Sequence, residues 1–168
     1  MNTQSTLRLA GRTGTPRHRA QGFTATEMVV ALAIAAILAT LAVPAFNGII
    51  ASQRAQVCAS DLYVALAKAR SNAVARNNTV TLQAIAGNWQ NGWQILDVNN
   101  NVLDSHAAET AVTIAPQAAV TYTASGRLPA GTAAPVFAIS TTSGSTHNYQ
   151  CVSVTLTGRP YMKAAQTC

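Results

Sequence analysis

The sequence predicts an α+β fold: a long N-terminal helix, membrane-spanning in its first half, packed on a small C-terminal antiparallel β domain. Three observations predict it. No charged residue occurs from Met28 to Gln53. Small and apolar residues then recur with the helical period as far as Ala73. After Asn78 the pattern changes to the alternation of strands.

The helix comes first. The run MVVALAIAAILATLAVPAF, residues 28–46, is close to the ~20 apolar residues that a helix needs to cross a bilayer, so a crossing is placed at about residues 24–46. Beyond it, Cys58, Leu62, Ala65, Leu66, Ala69 and Ala73 fall at i, i+4, i+7, i+8, i+11 and i+15, one stripe of a 3.6-residue period. Arg54, Asp61, Lys68 and Arg70 flank the stripe, and Asn77-Asn78 is a plausible stop. One helix is therefore predicted from about Thr24 to Arg76. A bend is expected near Pro44, whose ring removes a backbone hydrogen bond, and a looser turn at Gly48. The first half is apolar all round. The second half should bury its stripe against the domain that follows.

That domain, residues 77–168, reads as six or seven short strands. Thr79–Ile85 alternates and is rich in β-branched residues. Gly87-Asn88 is a turn, Trp89–Val98 a second strand and Asn99–Asn101 a second turn. Val102-Leu103 begins another strand. Ala111–Ile114 and Ala119–Tyr122 follow, separated by Pro116. Ser125–Arg127 is a turn, and Pro135–Ile139 is a strand. Tyr149–Thr157 is the clearest strand, and Gly158-Arg159-Pro160 ends it or turns it into a hairpin. Trp89 and Trp93 read as core residues. No repeat is visible. A domain of this size has a modest core, so packing on the helix or a disulfide would matter.

Charge excludes one simple reading. The formal net charge is +6, from 11 Lys+Arg against 5 Asp+Glu. Arg8, Arg12, Arg17 and Arg19 all precede Gly22. Without those four, seven cations face five acids, a net of +2. The overall basicity is thus a property of the first residues, where it would hold that end in the cytoplasm, and is no argument for a nucleic-acid-binding surface.

Three readings compete for the N-terminal segment. A secretory signal would be cut after the apolar run, where Val43 and Ala45 are small but Pro44 stands between them. An uncleaved anchor is the plainest alternative. The third uses Gln21–Glu27 (QGFTATE), in which Gly22, Phe23 and an acid, Glu27, precede the apolar helix. This junction resembles the class III leader of type IV pilins and of the pseudopilins of type II secretion. The resemblance implies a leader of residues 1–22, cleavage between Gly22 and Phe23 by a prepilin peptidase, N-methylation of Phe23 and a retained anchor in residues 23–76. Pro44 then stands where such helices commonly carry a proline. By the same resemblance Glu27 meets the amine of Phe23, a neighbour's or its own, because a lone carboxylate in an apolar filament core is costly. The alternative is that Glu27 only reaches for the membrane interface.

The rest of the chain resembles the GspH/FimT family in particular. The residues that carry this are Gly87-x-Trp89, Gly92-Trp93 opening a strand with Asp97 and Asn-rich turns, Gly126-Arg127, and a late strand ending in Gly158-Arg159. The family unites minor pseudopilins and minor pilins. It implies a single-pass inner-membrane subunit with a periplasmic β domain, whose partners are the inner membrane, the peptidase and other pilin or pseudopilin subunits. The function expected is to assemble into, or prime, a type IV pilus or type II secretion filament; which of the two stays open. The alternative is a FimT-like role in DNA uptake during natural transformation, through weak binding of double-stranded DNA. FimT proteins carry a GRxR-type motif. Here Gly158-Arg159-Pro160-Tyr161 matches with Tyr161 in place of the second Arg. Lys163 is then a phosphate contact, Tyr161 a stacking residue, and Arg127 a further candidate.

Cys151 and Cys168 bracket the C-terminal segment, and in an oxidising periplasm they are expected to pair, a closure worth ~3 kcal/mol. Cys58 lies on the apolar stripe and reads as a buried free thiol, with pairing to either other cysteine left open. Cys151, Cys168, His106 and His147 match no metal-ligand spacing. Ser143–Ser145 with His147 reads as a polar loop rather than an esterase site. No catalytic residues, cofactor or metal are assigned, and the expectation is a non-enzyme.

Overall fold

The computed structural model describes residues 22–115, 117–144 and 146–168, without the side chains of residues 41–45 and 146. Arg8, Arg12, Arg17 and Arg19, Pro116, Ser145 and the side chain of Pro44, with the bend expected there, lie outside the described residues. Two compact units form, one up to Ala39 and one comprising Thr40–Cys168.

Helix α1 runs from Ala25 to Ala75, within one residue of the predicted bounds, and it continues through Gly48. Both ends are closed by local chemistry. At the start, the Thr24 hydroxyl accepts from the Glu27 N–H at 3.3 Å, while the Glu27 carboxylate accepts from the Thr24 N–H at 2.7 Å. This is a capping box, which satisfies two donors that the first turn leaves free. At the end, Asn77 takes a φ of +48°. Its N–H donates to Val74 O and that of Asn78 to Ala73 O, both at 3.1 Å, the pattern of a left-handed C-terminal stop. In the first unit Met28, Val29, Val30, Leu32, Ile34, Ile37 and Leu38 are all exposed. Among the described residues no helix is long and apolar enough to cross a membrane; the described apolar stretch before residue 41 is shorter than the ~20 residues a crossing takes.

Eight strands follow among the described residues: β1 Val80–Ala84, β2 Trp93–Leu96, β3 Val102–His106, β4 Thr113–Ile114, β5 Val120–Tyr122, β6 Val136–Ser143, β7 Thr146–Val154 and β8 Pro160–Lys163. They make two four-stranded sheets, ordered β3-β2-β1-β5 and β4-β6-β7-β8, with every pair antiparallel. The stripe of α1 is buried as its period requires: Cys58, Leu62, Leu66, Ala69 and Ala73 are fully covered. It meets Val80, Leu82, Trp93, Ile95, Val120 and Tyr122 of the first sheet, and Ile114, Phe137, Ile139, Val152 and Val154 of the second, in one core. Each fully buried aliphatic side chain contributes about 1.5–3 kcal/mol. The Thr141 hydroxyl donates to Ala51 O at 2.8 Å, tying β6 to the helix inside this layer.

Two strand assignments need correction. Trp89–Val98 is not one strand. Asn88 accepts from the Gln90 N–H at 2.9 Å and starts a 3₁₀ turn over Trp89–Asn91. Gly92 then takes a φ of +96° in a position where a Cβ would collide with the His106 carbonyl oxygen. The strand begins only after this kink. It ends at Leu96 because Asp97 Oδ1 collects the N–H groups of Asn99 and Asn101, both at 2.8 Å. The Asn101 side chain and then its backbone hold the Asp97 carboxyl below its ordinary pKa. The second correction is at the C-terminus. β6 and β7 pair from Val136↔Ser153 to Ser143↔Thr146, so both reach further toward the Gly144 turn than the residue pattern implied. Val152 and Val154 of β7 join the core, yet Cys151 and Ser153 are buried as well. Ser153 donates to Pro135 O at 2.7 Å, and Cys151 is covered by its disulfide to Cys168, across a Cα–Cα distance of 5.5 Å. Cys58 is free; burial, with the Glu109 and Asp61 charges adding, pushes its thiol up to about 12.

Candidate functional site

The residues named from the sequence fall in two places. Gly22, Phe23 and Glu27 stand at the start of α1. Phe23 is 83% exposed, and Gly22 has open space where a side chain would project. Glu27 is exposed and carries the capping box, with a further hydrogen bond from the Thr24 hydroxyl at 2.8 Å. The T-x-x-E spacing from Thr24 to Glu27 is itself the sequence signature of a capping box.

Arg127 and Arg159 lie on two turns of the β domain, and Tyr161 and Lys163 follow on β8. The two turns are duplicates. Thr123-Ala124-Ser125-Gly126-Arg127 and Thr155-Leu156-Thr157-Gly158-Arg159 share the pattern T-x-[S/T]-G-R. In each, the threonine N–H donates to the arginine carbonyl at 2.9 Å and the glycine N–H donates to the threonine carbonyl at 2.8 Å. In each, the threonine hydroxyl bonds the next hydroxyl, at 2.9 and 2.8 Å. It also donates to the arginine carbonyl, at 3.0 and 3.3 Å. The glycines have φ of +71° and +84°, in the left-handed region. A short internal repeat is therefore present, against the expectation of none.

The two turns pack back to back. A Cβ on Gly158 would collide with Gly126 O and lie 3.1 Å from Arg127 Cα. The helix completes the arrangement: Arg70 donates through Nε to Gly126 O at 2.9 Å. Arg70 flanks the helix stripe in the sequence, and only the fold brings it to this turn. Two grooves result. One, of about 580 Å³, is lined by Tyr63, Ala67, Arg70, Ser71, Val74, Ala75, Arg159 and Pro160. The other contains Arg127 with Thr123, Ser125, Leu128 and Leu156. No acid lines either groove. Arg127 and Arg159 are thus brought to one ridge but line different flanks of it.

Tyr161 and Lys163 lie on β8, opposite Ser153 and Cys151 of β7. Lys163 Nζ sits 5.7 Å from the centre of the Tyr161 ring and donates to the Cys168 carbonyl at 3.2 Å. The disulfide and this bond together fold the C-terminal residues back on β7 and β8.

The cysteine–histidine set considered from the sequence is not assembled, since Cys151 and Cys168 are joined to each other. His147 bonds the Thr142 hydroxyl at 3.2 Å. His106 lies elsewhere, stacked on Trp93 and converging with Asp61 and Glu109. Trp89 is a core residue as expected, edge-on to Phe137 at 4.7 Å, and its indole N–H donates to Gln117 O at 2.7 Å.

Comparison with known proteins agrees with this architecture. No curated protein matches the chain. Among solved structures, the type IV minor pilin FimU of Pseudomonas aeruginosa (strain PAO1) is similar in two crystal forms. One is 27% identical with a TM-score of 0.54, covering 67% of this chain and 93% of that one. The other is 26% identical with a TM-score of 0.53, covering 67% and 98%. The family model described as type II transport protein GspH matches residues 59–158, from the second half of α1 to the second Gly-Arg turn. The chain belongs to the GspH family, the minor pilin and pseudopilin family that its sequence resembles.

Proposed function

We propose that this protein is a structural, non-enzymatic subunit that assembles into or primes a type IV pilus or type II secretion filament. The observation that carries the reading is the joining of two parts in one chain: a GspH domain, and an apolar helix that opens on Gly22-Phe23 and Glu27. In this reading residues 1–22 are removed by a prepilin peptidase, and Phe23 becomes the N-methylated first residue. Residues of about 24–46 anchor the subunit in the inner membrane, with the β domain periplasmic. The exposed apolar side chains from Met28 to Leu38 then pack among lipids and later among the helices of other subunits. Mass spectrometry of the membrane-associated protein tests this. An N-terminus at methylated Phe23 is expected, and Gly22→Glu should leave the leader in place. An N-terminus at Phe46, or an intact Met1, would contradict the reading.

A second reading is favoured by one specific observation, the acid-free ridge of twin Gly-Arg turns. Weak binding of double-stranded DNA would use Arg159 and Arg70 on one flank and Arg127 on the other, with Lys163 and Tyr161 beside them. With a net charge of +2 after the leader, affinity is expected within the ~10⁻⁴–10⁻⁶ M range of non-specific binders, falling steeply with salt as counterions are released. Arg159→Gln and Lys163→Gln should each weaken binding alike for all sequences, because phosphate contacts position without specifying. A gel-shift titration of the detergent-solubilised chain at two salt concentrations checks this. No shift at low salt would leave the filament role alone.

A further inference from the structure

Asp61, His106 and Glu109 come from three separate elements: the middle of α1, the last residue of β3 and the loop beyond it. Their ligand atoms lie within 4.8 Å of one another, and all three residues are half-buried. His106 Nε2 is 2.8 Å from Glu109 Oε1. The imidazole lies flat on the buried Trp93 ring, 4.1 Å away at 6°. The backbone on either side is held as well. The Glu109 N–H donates to Gln90 O at 2.9 Å, and Gly92 lies so close to the His106 carbonyl that a side chain there would strike it. The His106 ring and the backbone of Glu109 are therefore held by the fold.

The charge at this place is unusual for the chain. Three of its five acids, Asp61, Asp104 and Glu109, collect around one histidine. Among the described residues the ion pairs are Lys68–Asp104, at 2.6 Å, and His106–Glu109. Lys68 is thus engaged, and Asp61 belongs to neither pair. Two half-buried carboxylates thus lie within 4.8 Å of one imidazole and of each other, an arrangement that a cation would relieve.

We propose that Asp61, His106 and Glu109 form a binding site for a divalent transition-metal ion of the zinc type. One imidazole nitrogen and two carboxylate oxygens are donors that zinc accepts, at about 2.0–2.2 Å. Tetrahedral ligand atoms then stand roughly 3.3 Å apart. The His106–Glu109 pair is already near that spacing, and Asp61 closes the remainder by a side-chain rotation. The ion takes the place of the proton shared by His106 Nε2 and Glu109 Oε1, and that proton leaves to solvent. Three protein ligands leave the fourth position to water. Calcium and magnesium prefer all-oxygen sites, so they are poor fits to a site with an imidazole. The bound ion would clamp α1 to the edge strand β3, acting as a staple between helix and sheet.

The test is isothermal titration of zinc chloride into the full chain, solubilised in detergent with its disulfide intact and stripped of metal by chelator. The expected result is one saturable site per chain with a micromolar Kd and a rise of several degrees in Tm, with neither effect from calcium at the same concentration. His106→Gln, which keeps a polar side chain on Trp93, and Asp61→Asn should each weaken zinc binding at least tenfold. His147→Ala and Cys58→Ala should leave it unchanged. Circular dichroism verifies that each variant is folded, and Asp61→Asn carries the test if His106→Gln is not. Absence of saturable binding overturns the proposal. So does zinc binding that survives Asp61→Asn or disappears with His147→Ala.

Discussion

Gly158→Ala is expected to destabilise the protein by roughly 3 kcal/mol. Two costs combine. A φ of +84° is disfavoured for alanine by about 1–2 kcal/mol. In addition, the new Cβ would be driven into the Gly126 carbonyl and against Arg127 Cα. Those are backbone atoms held by hydrogen bonds of their own, so the neighbour cannot rotate away, and overpacking of this kind costs about 1–3 kcal/mol. Gly131→Ala separates the two costs. Gly131 has a φ of +80° and open space around it, so that variant should show the conformational cost alone. Thermal unfolding followed by circular dichroism reads the difference. At about 2–4 °C per kcal/mol for a chain of this size, Gly158→Ala should melt several degrees below Gly131→Ala. Equal melting would mean that the two Gly-Arg turns do not interlock. If they do, Gly158→Ala should also displace Arg159 relative to Arg127, and any anion binding by the ridge should fall with stability.

Filament incorporation should drop tenfold or more in Glu27→Gln, and processing at Gly22 should persist. Glu27 is offered two roles, and this substitution parts them. Glutamine at the third helical position still completes a capping box, so the local hydrogen bonds to Thr24 survive while the charge is lost. If Glu27 serves by meeting the Phe23 amine inside an apolar assembly, the neutral variant leaves that amine without its counter-charge, and a buried uncompensated charge is strongly unfavourable. Thr24→Ala is the reverse experiment. It removes the Thr24 hydroxyl from the cap at a cost of about 1 kcal/mol and leaves the carboxylate charge intact, so filaments should form. Glu27→Val removes both roles and should resemble Glu27→Gln. Immunoblots of sheared filaments against whole cells provide the measurement. Wild-type incorporation of Glu27→Gln would reduce Glu27 to a helix cap.

The sequence by itself determined the elements governed by local rules. The stripe from Cys58 to Ala73 needed only the helical period, and every residue in it is buried. The Asn77-Asn78 stop needed only a residue that tolerates a left-handed backbone. The alternation after Asn78 sufficed to place an antiparallel β domain behind the helix. What escaped depended on contacts between distant residues. The break at Gly92 exists because the His106 backbone lies against it. Burial on both faces of β7 exists because Pro135 and the C-terminal segment fold over it. The likeness of the turns at 123–127 and 155–159 could be spelled out from the sequence, but their meeting at Gly126 and Gly158, with Arg70 bonded to the same carbonyl, could not. Asp61, His106 and Glu109 share no sequence spacing that a ligand rule recognises. They meet because α1 lies against the edge of the first sheet. Periodicity reports how one segment faces its surroundings. Only the packing of the segments decides which side chains those surroundings contain.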